Sequence, residues 1–151
     1  MTETLFYHLE RRAIDEALPP LIEKTLERGW RALVRVDSAE RADALDTRLW
    51  TFNDGFLPHA QAGDGDPARQ PVLITMEEGN PNKADVLFLV GGAPAPDWSS
   101  AKGFARIVLM FDGRDPSAVE GARGAWKAAK AAGHEVTYWK ESPTGKWEKQ
   151  G

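Results

Sequence analysis

Apolar positions along this chain recur with two periods, and the switching between them lays out the elements. Thr4-Leu5-Phe6-Tyr7-His8-Leu9 is an aromatic-rich run of strand character. Ile14, Leu18, Leu21, Ile22, Thr25 and Leu26 then recur at three- and four-residue spacing, the stripe of an amphipathic helix. That helix should end at Arg28-Gly29, where a glycine can take the left-handed cap. Pro19-Pro20 leaves two possibilities: the helix begins at Pro19 as its first turn, or it kinks there. Ala32-Leu33-Val34-Arg35-Val36 is a second strand. Asp37-Ser38 predicts a helix cap, with Glu40 three residues after Asp37 as in a capping box and Ala42, Leu45 and Leu49 turned inward.

Residues 51–70 break the pattern with Asn53-Asp54-Gly55, Pro58, Gly63, Gly65 and Pro67, which predicts one long ordered loop of the kind compact domains reserve for function. Strands are predicted again at Val72-Leu73-Ile74-Thr75, Val86-Leu87-Phe88-Leu89-Val90 and Arg106-Ile107-Val108-Leu109-Met110-Phe111. These runs are continuous rather than alternating, as expected when both faces of a strand are covered. A helix from Pro116 to Ala132, closed by Gly133, precedes a last strand at Val136-Thr137-Tyr138-Trp139. Strands alternating with helices predict one α/β domain over residues 1–140, a mostly parallel sheet sandwiched by helices with Rossmann-like topology. Residues 141–151 read as a polar C-terminal tail.

Composition narrows the function classes. The chain has 151 residues and no Cys, which removes a disulfide framework, a thiolate nucleophile and Cys-ligated zinc. No apolar run is long enough to cross a bilayer, so no membrane association is expected. MTETLFYHLE lacks the basic start and apolar core of a signal peptide, and a cytoplasmic location is expected. Lys+Arg 19 against Asp+Glu 23 gives a net charge of −4, which argues against direct specific nucleic-acid binding.

The chemistry that a doubly wound sheet often carries is missing from the motifs. There is no G-x-x-x-x-G-K-[ST], and Glu10-Arg11-Arg12 stands after the first strand where a dinucleotide-binding protein has its glycines. No G-x-S-x-G elbow occurs. His8, His59 and His134 share no metal-ligand spacing, and His59 with Asp64 and Asp66 would make at best a weak cation site. No catalytic residue, metal site or cofactor is assigned.

The last helix stands out. Arg123, Trp126, Lys127 and Lys130 fall at i, i+3, i+4 and i+7, on one side, while Val119, Ala122, Ala125, Ala129 and Ala132 supply the other. Residues 121–151 hold six Lys/Arg against three Asp/Glu, leaving 13 against 20 in residues 1–120, so a −7 body carries a +3 end. One reading is a solvated face whose Trp covers lysine stems. The sharper one is a surface for an acidic peptide, with Arg123 on a carboxylate, Trp126 beside an apolar anchor, and Lys127 and Lys130 steering. Trp50, Phe52 and Phe56 gather where a helix gives way to the loop and form a second candidate surface.

At these residues the sequence resembles the chi subunit family of the bacterial DNA polymerase III holoenzyme, the clamp-loader accessory proteins. The likeness runs through Phe6-Tyr7-His8-Leu9, Leu45-Asp46-Thr47-Arg48-Leu49-Trp50, Phe56-Leu57-Pro58-His59, Ala62-Gly63, Gln70-Pro71-Val72, Arg123-Gly124-Ala125-Trp126-Lys127 and Ala132-Gly133-His134, over roughly residues 4 to 140. It implies a Rossmann-like domain without a nucleotide or catalytic site, acting as a non-catalytic adaptor within a DNA-directed DNA polymerase complex. It further implies that Arg123, Trp126 and Lys127 bind the acidic C-terminal tail of single-stranded-DNA-binding protein, which ends in an aromatic residue with a free carboxylate. Lys130 joins them from helix geometry alone. A small psi-type clamp-loader subunit would meet Trp50 and Phe56. Val119 departs from the basic residue some relatives carry near this helix start, and Trp147 has no counterpart role. The competing reading is a small nucleotide- or metal-binding enzyme that uses the 51–70 loop.

Overall fold

The structure, a computed structural model, describes residues 3–10, 12–51, 59–61, 66, 70–76, 79–93, 98, 103–144 and 146–150, with positions 15, 50, 51 and 60 described in the backbone alone. The described residues form strands β1 (Glu3–Leu9), β2 (Ala32–Arg35), β3 (Ala60–Gln61), β4 (Val72–Thr75), β5 (Val86–Val90), β6 (Arg106–Asp112), β7 (Glu135–Glu141) and β8 (Trp147–Gln150), with helices α1 (Ile14–Glu27), α2 (Ala39–Thr51) and α3 (Pro116–Ala131). All eight strands lie in one sheet, in the order β3-β4-β2-β5-β6-β1-β7-β8. Every pairing is parallel except β7 with β8. The α/β architecture expected from the alternation of elements is the one observed.

Each strand divides its side chains between two cores, because successive residues point to opposite faces. Leu5 and Leu9 of β1, Val34 of β2 and Phe88 of β5 face α1 and α2, where Leu18, Ile22, Leu45 and Leu49 meet them. Phe6, Leu33, Leu87 and Phe111 face the other way, against Ala122, Ala125 and Ala129 of α3. The alanines let α3 approach closely, while burial on both faces explains the unbroken apolar run of β5 and the apolar stretches that open β2 and β4.

Three local expectations are decided by the structure. Helix α1 starts at Ile14 and continues through Pro19-Pro20, so the prolines lie inside the helix and its start is not at Pro19. Pro19 is buried with Ala17, Leu18 and Ile22, and this packing outweighs the missing backbone donors. The expected stop is present: Gly29 takes φ +78°, and its N–H reaches Leu26 O at 2.9 Å. At α2 the cap is Ser38, whose Oγ accepts Arg41 N at 3.2 Å, while Asp37 binds the Arg41 side chain at 2.9 Å, so no box forms on Asp37.

Within residues 141–151, expected as a polar tail, Glu141 closes β7 and β8 returns antiparallel to it. Trp147 lies edge-on to Tyr7 with ring centroids 4.7 Å apart, beneath the Arg12 guanidinium at 5.2 Å. The guanidiniums of Arg28 and Arg106 each lie over the Trp30 ring, at 5.2 and 5.6 Å from its centroid, and Trp98 is buried. Inside the region expected to be one loop, β3 adds a short strand beside β4.

Candidate functional site

Helix α3 is launched by Asp115, whose side chain accepts Ser117 N at 3.0 Å, with Pro116 as the first helical residue. Its alanine face lies on the sheet, so the side chains flanking that face are aimed along the seam between α3 and β7. Trp126 occupies this seam half-buried, edge-on to Phe6 of β1 at 5.5 Å and to Tyr138 of β7 at 5.8 Å. These contacts fix the ring, and edge-to-face pairs of this kind add about 0.5–1.5 kcal/mol beyond burial.

Beside the ring is a cavity of about 250 Å³ lined by Val119, Ala122, Arg123, Trp126, Lys127 and Tyr138. Its walls are apolar apart from the two cations and one phenol. An apolar cavity of about 150 Å³ already holds a benzene ring, so a phenyl side chain fits. Arg123 and Lys127 are exposed at its mouth, placed to meet a carboxylate that enters beside such a ring. Of the four residues singled out in sequence, three line this cavity. Lys130 stands one turn further on, its Nζ 6.0 Å from the Trp126 ring centroid, and extends the positive rim.

Three further residues line the cavity: Val119, Ala122 and Tyr138. Val119 and Ala122, expected on the sheet-facing side, belong to the packing there and also form part of the cavity wall. Tyr138 was read only as a strand residue. Its place follows from the alternation of β7, which turns Val136 and Tyr138 toward α3, and from its register opposite Phe6. Burial raises the Tyr138 pKa, with the nearby Arg123 charge opposing.

Behind Tyr138 lies a polar cluster. His8 Nδ1 is 2.5 Å from the Tyr138 hydroxyl, and His8 Nε2 is 3.1 Å from Glu10 Oε1, which Lys140 Nζ approaches at 3.4 Å. The imidazole abuts Gly113, where an added Cβ would stand 1.8 Å from Nε2, so only glycine leaves the ring its space. Desolvation lowers the His8 pKa, partly opposed by Glu10.

A wider cleft of about 540 Å³ opens at the C-terminal ends of β2, β5 and β6. Connections from β2 and β5 leave there in opposite directions, the position where open α/β sheets take ligands. Its charged groups are already engaged among the described residues: Asp37 with Arg41, Asp112 with Arg114, and Asp115 with the first turn of α3. A phosphate entering there would therefore compete with existing pairs.

The second candidate surface falls largely outside the described residues. The Trp50 backbone lies in α2, but its side chain and the whole of Phe56 are not described. His59 is described, with its Nε2 3.0 Å from Asp46 of α2, while Asp64 is not. Among the described residues, no group of three or more His, Cys, Asp or Glu is placed to hold a metal ion. Nor is any described helix long and apolar enough to cross a membrane.

The comparisons with known proteins converge. The family profile described as DNA polymerase III chi subunit, HolC, matches residues 1–137. A protein of Rickettsia prowazekii (strain Madrid E), named "Probable DNA polymerase III subunit chi", is 29% identical over 117 residues, covering 74% of this chain and 71% of the relative.

Proposed function

The chain belongs to the DNA polymerase III chi subunit family, and from that premise we propose that it serves DNA replication as a non-catalytic adaptor that binds the acidic C-terminal tail of single-stranded-DNA-binding protein. The observation that carries this reading is the cavity between Trp126 and Tyr138, with Arg123 and Lys127 at its mouth. A tail that ends in an aromatic residue presents a ring and a carboxylate on one residue, and the site offers a socket for the first and cations for the second. Lys127 and Lys130 would draw in the acidic residues that precede it. One charged hydrogen bond of roughly 1.5–3 kcal/mol together with one buried ring supports micromolar affinity, about −8 kcal/mol. Such an interaction holds a replicase near coated single strands and still exchanges.

The link to the clamp loader would run through a psi-type subunit that meets Trp50 and Phe56. A thermal-shift series tests the adaptor against the nucleotide- or metal-binding alternative. The adaptor reading expects stabilisation by an acidic, phenylalanine-terminated peptide and none by nucleotides or divalent metals. Stabilisation by a nucleotide with no response to the peptide would replace it with the enzyme reading.

A further inference from the structure

We infer that His8 holds the hydroxyl of Tyr138 and thereby makes the α3 cavity proton-sensitive, so that an acidic peptide with a free terminal carboxylate binds more tightly when the imidazole is charged. This inference rests on the tail-peptide reading of the cavity and adds a regulatory input to it. Its basis is a continuous line of contacts. Tyr138 lines the cavity, its hydroxyl meets His8 Nδ1 at 2.5 Å, and His8 Nε2 faces Glu10 at 3.1 Å.

In the neutral ring, Nδ1 accepts the hydrogen of the Tyr138 hydroxyl, and the ring hydrogen is on Nε2, which lies 3.1 Å from Glu10 Oε1. That hydroxyl then points its proton away from the cavity. When Nδ1 takes up a proton, it can no longer accept. It donates to the phenol oxygen instead, and the phenol hydrogen is released to turn toward a ligand carboxylate. The protonated ring also brings one more positive charge next to a site whose mouth already holds Arg123 and Lys127.

The groups surrounding His8 are Glu10 at the end of β1, Tyr138 and Lys140 on β7, and Asp112 at the end of β6, the last carrying Arg114 at 2.9 Å. Arg123 reaches the same tyrosine from α3. Desolvation disfavours the charged ring in the free protein, with Glu10 opposing, and the imidazole side chain is only 12% exposed. An acidic ligand in the cavity would counter that penalty. By reciprocity, if the proton strengthens the peptide, the peptide must strengthen the proton.

Isothermal titration of the full chain with an acidic, phenylalanine-terminated peptide at pH 8 and pH 5.5 tests this. Over that range the peptide's own carboxylates stay largely ionised. The expected result is binding about fivefold tighter at pH 5.5, the scale of one added charge at intermediate distance. His8→Asn, which keeps an acceptor for Tyr138, should lose that gain while binding normally at pH 8. An unchanged pH profile in His8→Asn overturns the inference and leaves the tail-peptide reading standing. Absence of binding by the unmodified protein at both pH values overturns both. Should His8→Asn not fold, the His8 ring resonance of the unmodified protein decides. A titration midpoint raised by peptide supports the inference, and one that peptide does not move overturns it.

Discussion

The Arg12 guanidinium donates to Glu141 Oε2 at 2.6 Å, and the Glu141 side chain has no exposed surface. The other carboxylate oxygen accepts the backbone N–H groups of Glu10 and Arg12, each at 3.1 Å. The last residue of β7 thus fixes the turn from β1 into α1, and with it the position of Glu10 against His8. Removing the carboxylate would take this acceptor from three donors at once. Glu141→Ala should therefore cost about 3 kcal/mol, the low end for a broken buried pair because Arg12 is one-third exposed. Glu141→Gln, which preserves the shape and two acceptor contacts, should cost less. Urea unfolding measures both, and a loss below about 1 kcal/mol for Glu141→Ala would remove this latch from the account.

A second buried link ties the turn between α3 and β7 to β1, at the opposite end of these strands. His134 Nε2 donates to Trp98 O at 2.6 Å, which leaves Nδ1 to accept the Thr4 hydroxyl at 2.9 Å. Both partners are buried, and His134→Ala would remove this hydrogen bond from each. The expected cost is about 2–4 kcal/mol, from two orphaned polar groups and a vacated ring. Peptide affinity at the α3 cavity should stay the same in the folded fraction, because this network lies beyond the far end of α3. Thermal unfolding and peptide titration of the same variant separate the two effects.

The lowered pKa of His8 has a direct consequence for stability. Its folded-state pKa lies below the unfolded value of 6.5, so between the two the unfolded chain binds more protons. His8 therefore contributes nothing unfavourable above pH 6.5, and stability falls as the pH drops below 6.5 toward the folded-state pKa. In melting curves from pH 8 to pH 5, His8→Asn should show a shallower decline than the unmodified chain. Parallel declines would mean that other groups account for the acid sensitivity.

Much of this architecture is legible in the sequence because burial on both faces writes itself as unbroken apolar runs. Val86–Val90 and Ile107–Phe111 are central strands for that reason. The sequence leaves two paths for α1 at Pro19-Pro20, because local rules disfavour proline inside a helix and tertiary packing decides that α1 runs through both. Strand β8 escaped for a related reason: Trp147 is its one large apolar residue, and its support comes from Tyr7 and Arg12, distant in sequence. The candidate site divides in the same way. Arg123, Trp126 and Lys127 share a helix face and can be found by counting, whereas Tyr138 joins them only through the register of β7 against β1.

The central claim is that the α3 cavity receives a carboxylate-terminated acidic peptide with Arg123 at the carboxylate. It is tested most directly by titrating the unmodified chain and Arg123→Ala with a phenylalanine-terminated acidic peptide in free-acid and terminally amidated forms. The account predicts micromolar binding of the free acid to the unmodified chain, weakening with salt. Amidation and Arg123→Ala should each cost about 1.5–3 kcal/mol, and together little more than either alone, because they remove the same contact. Equal affinity for both peptide forms, undiminished by Arg123→Ala, would contradict it.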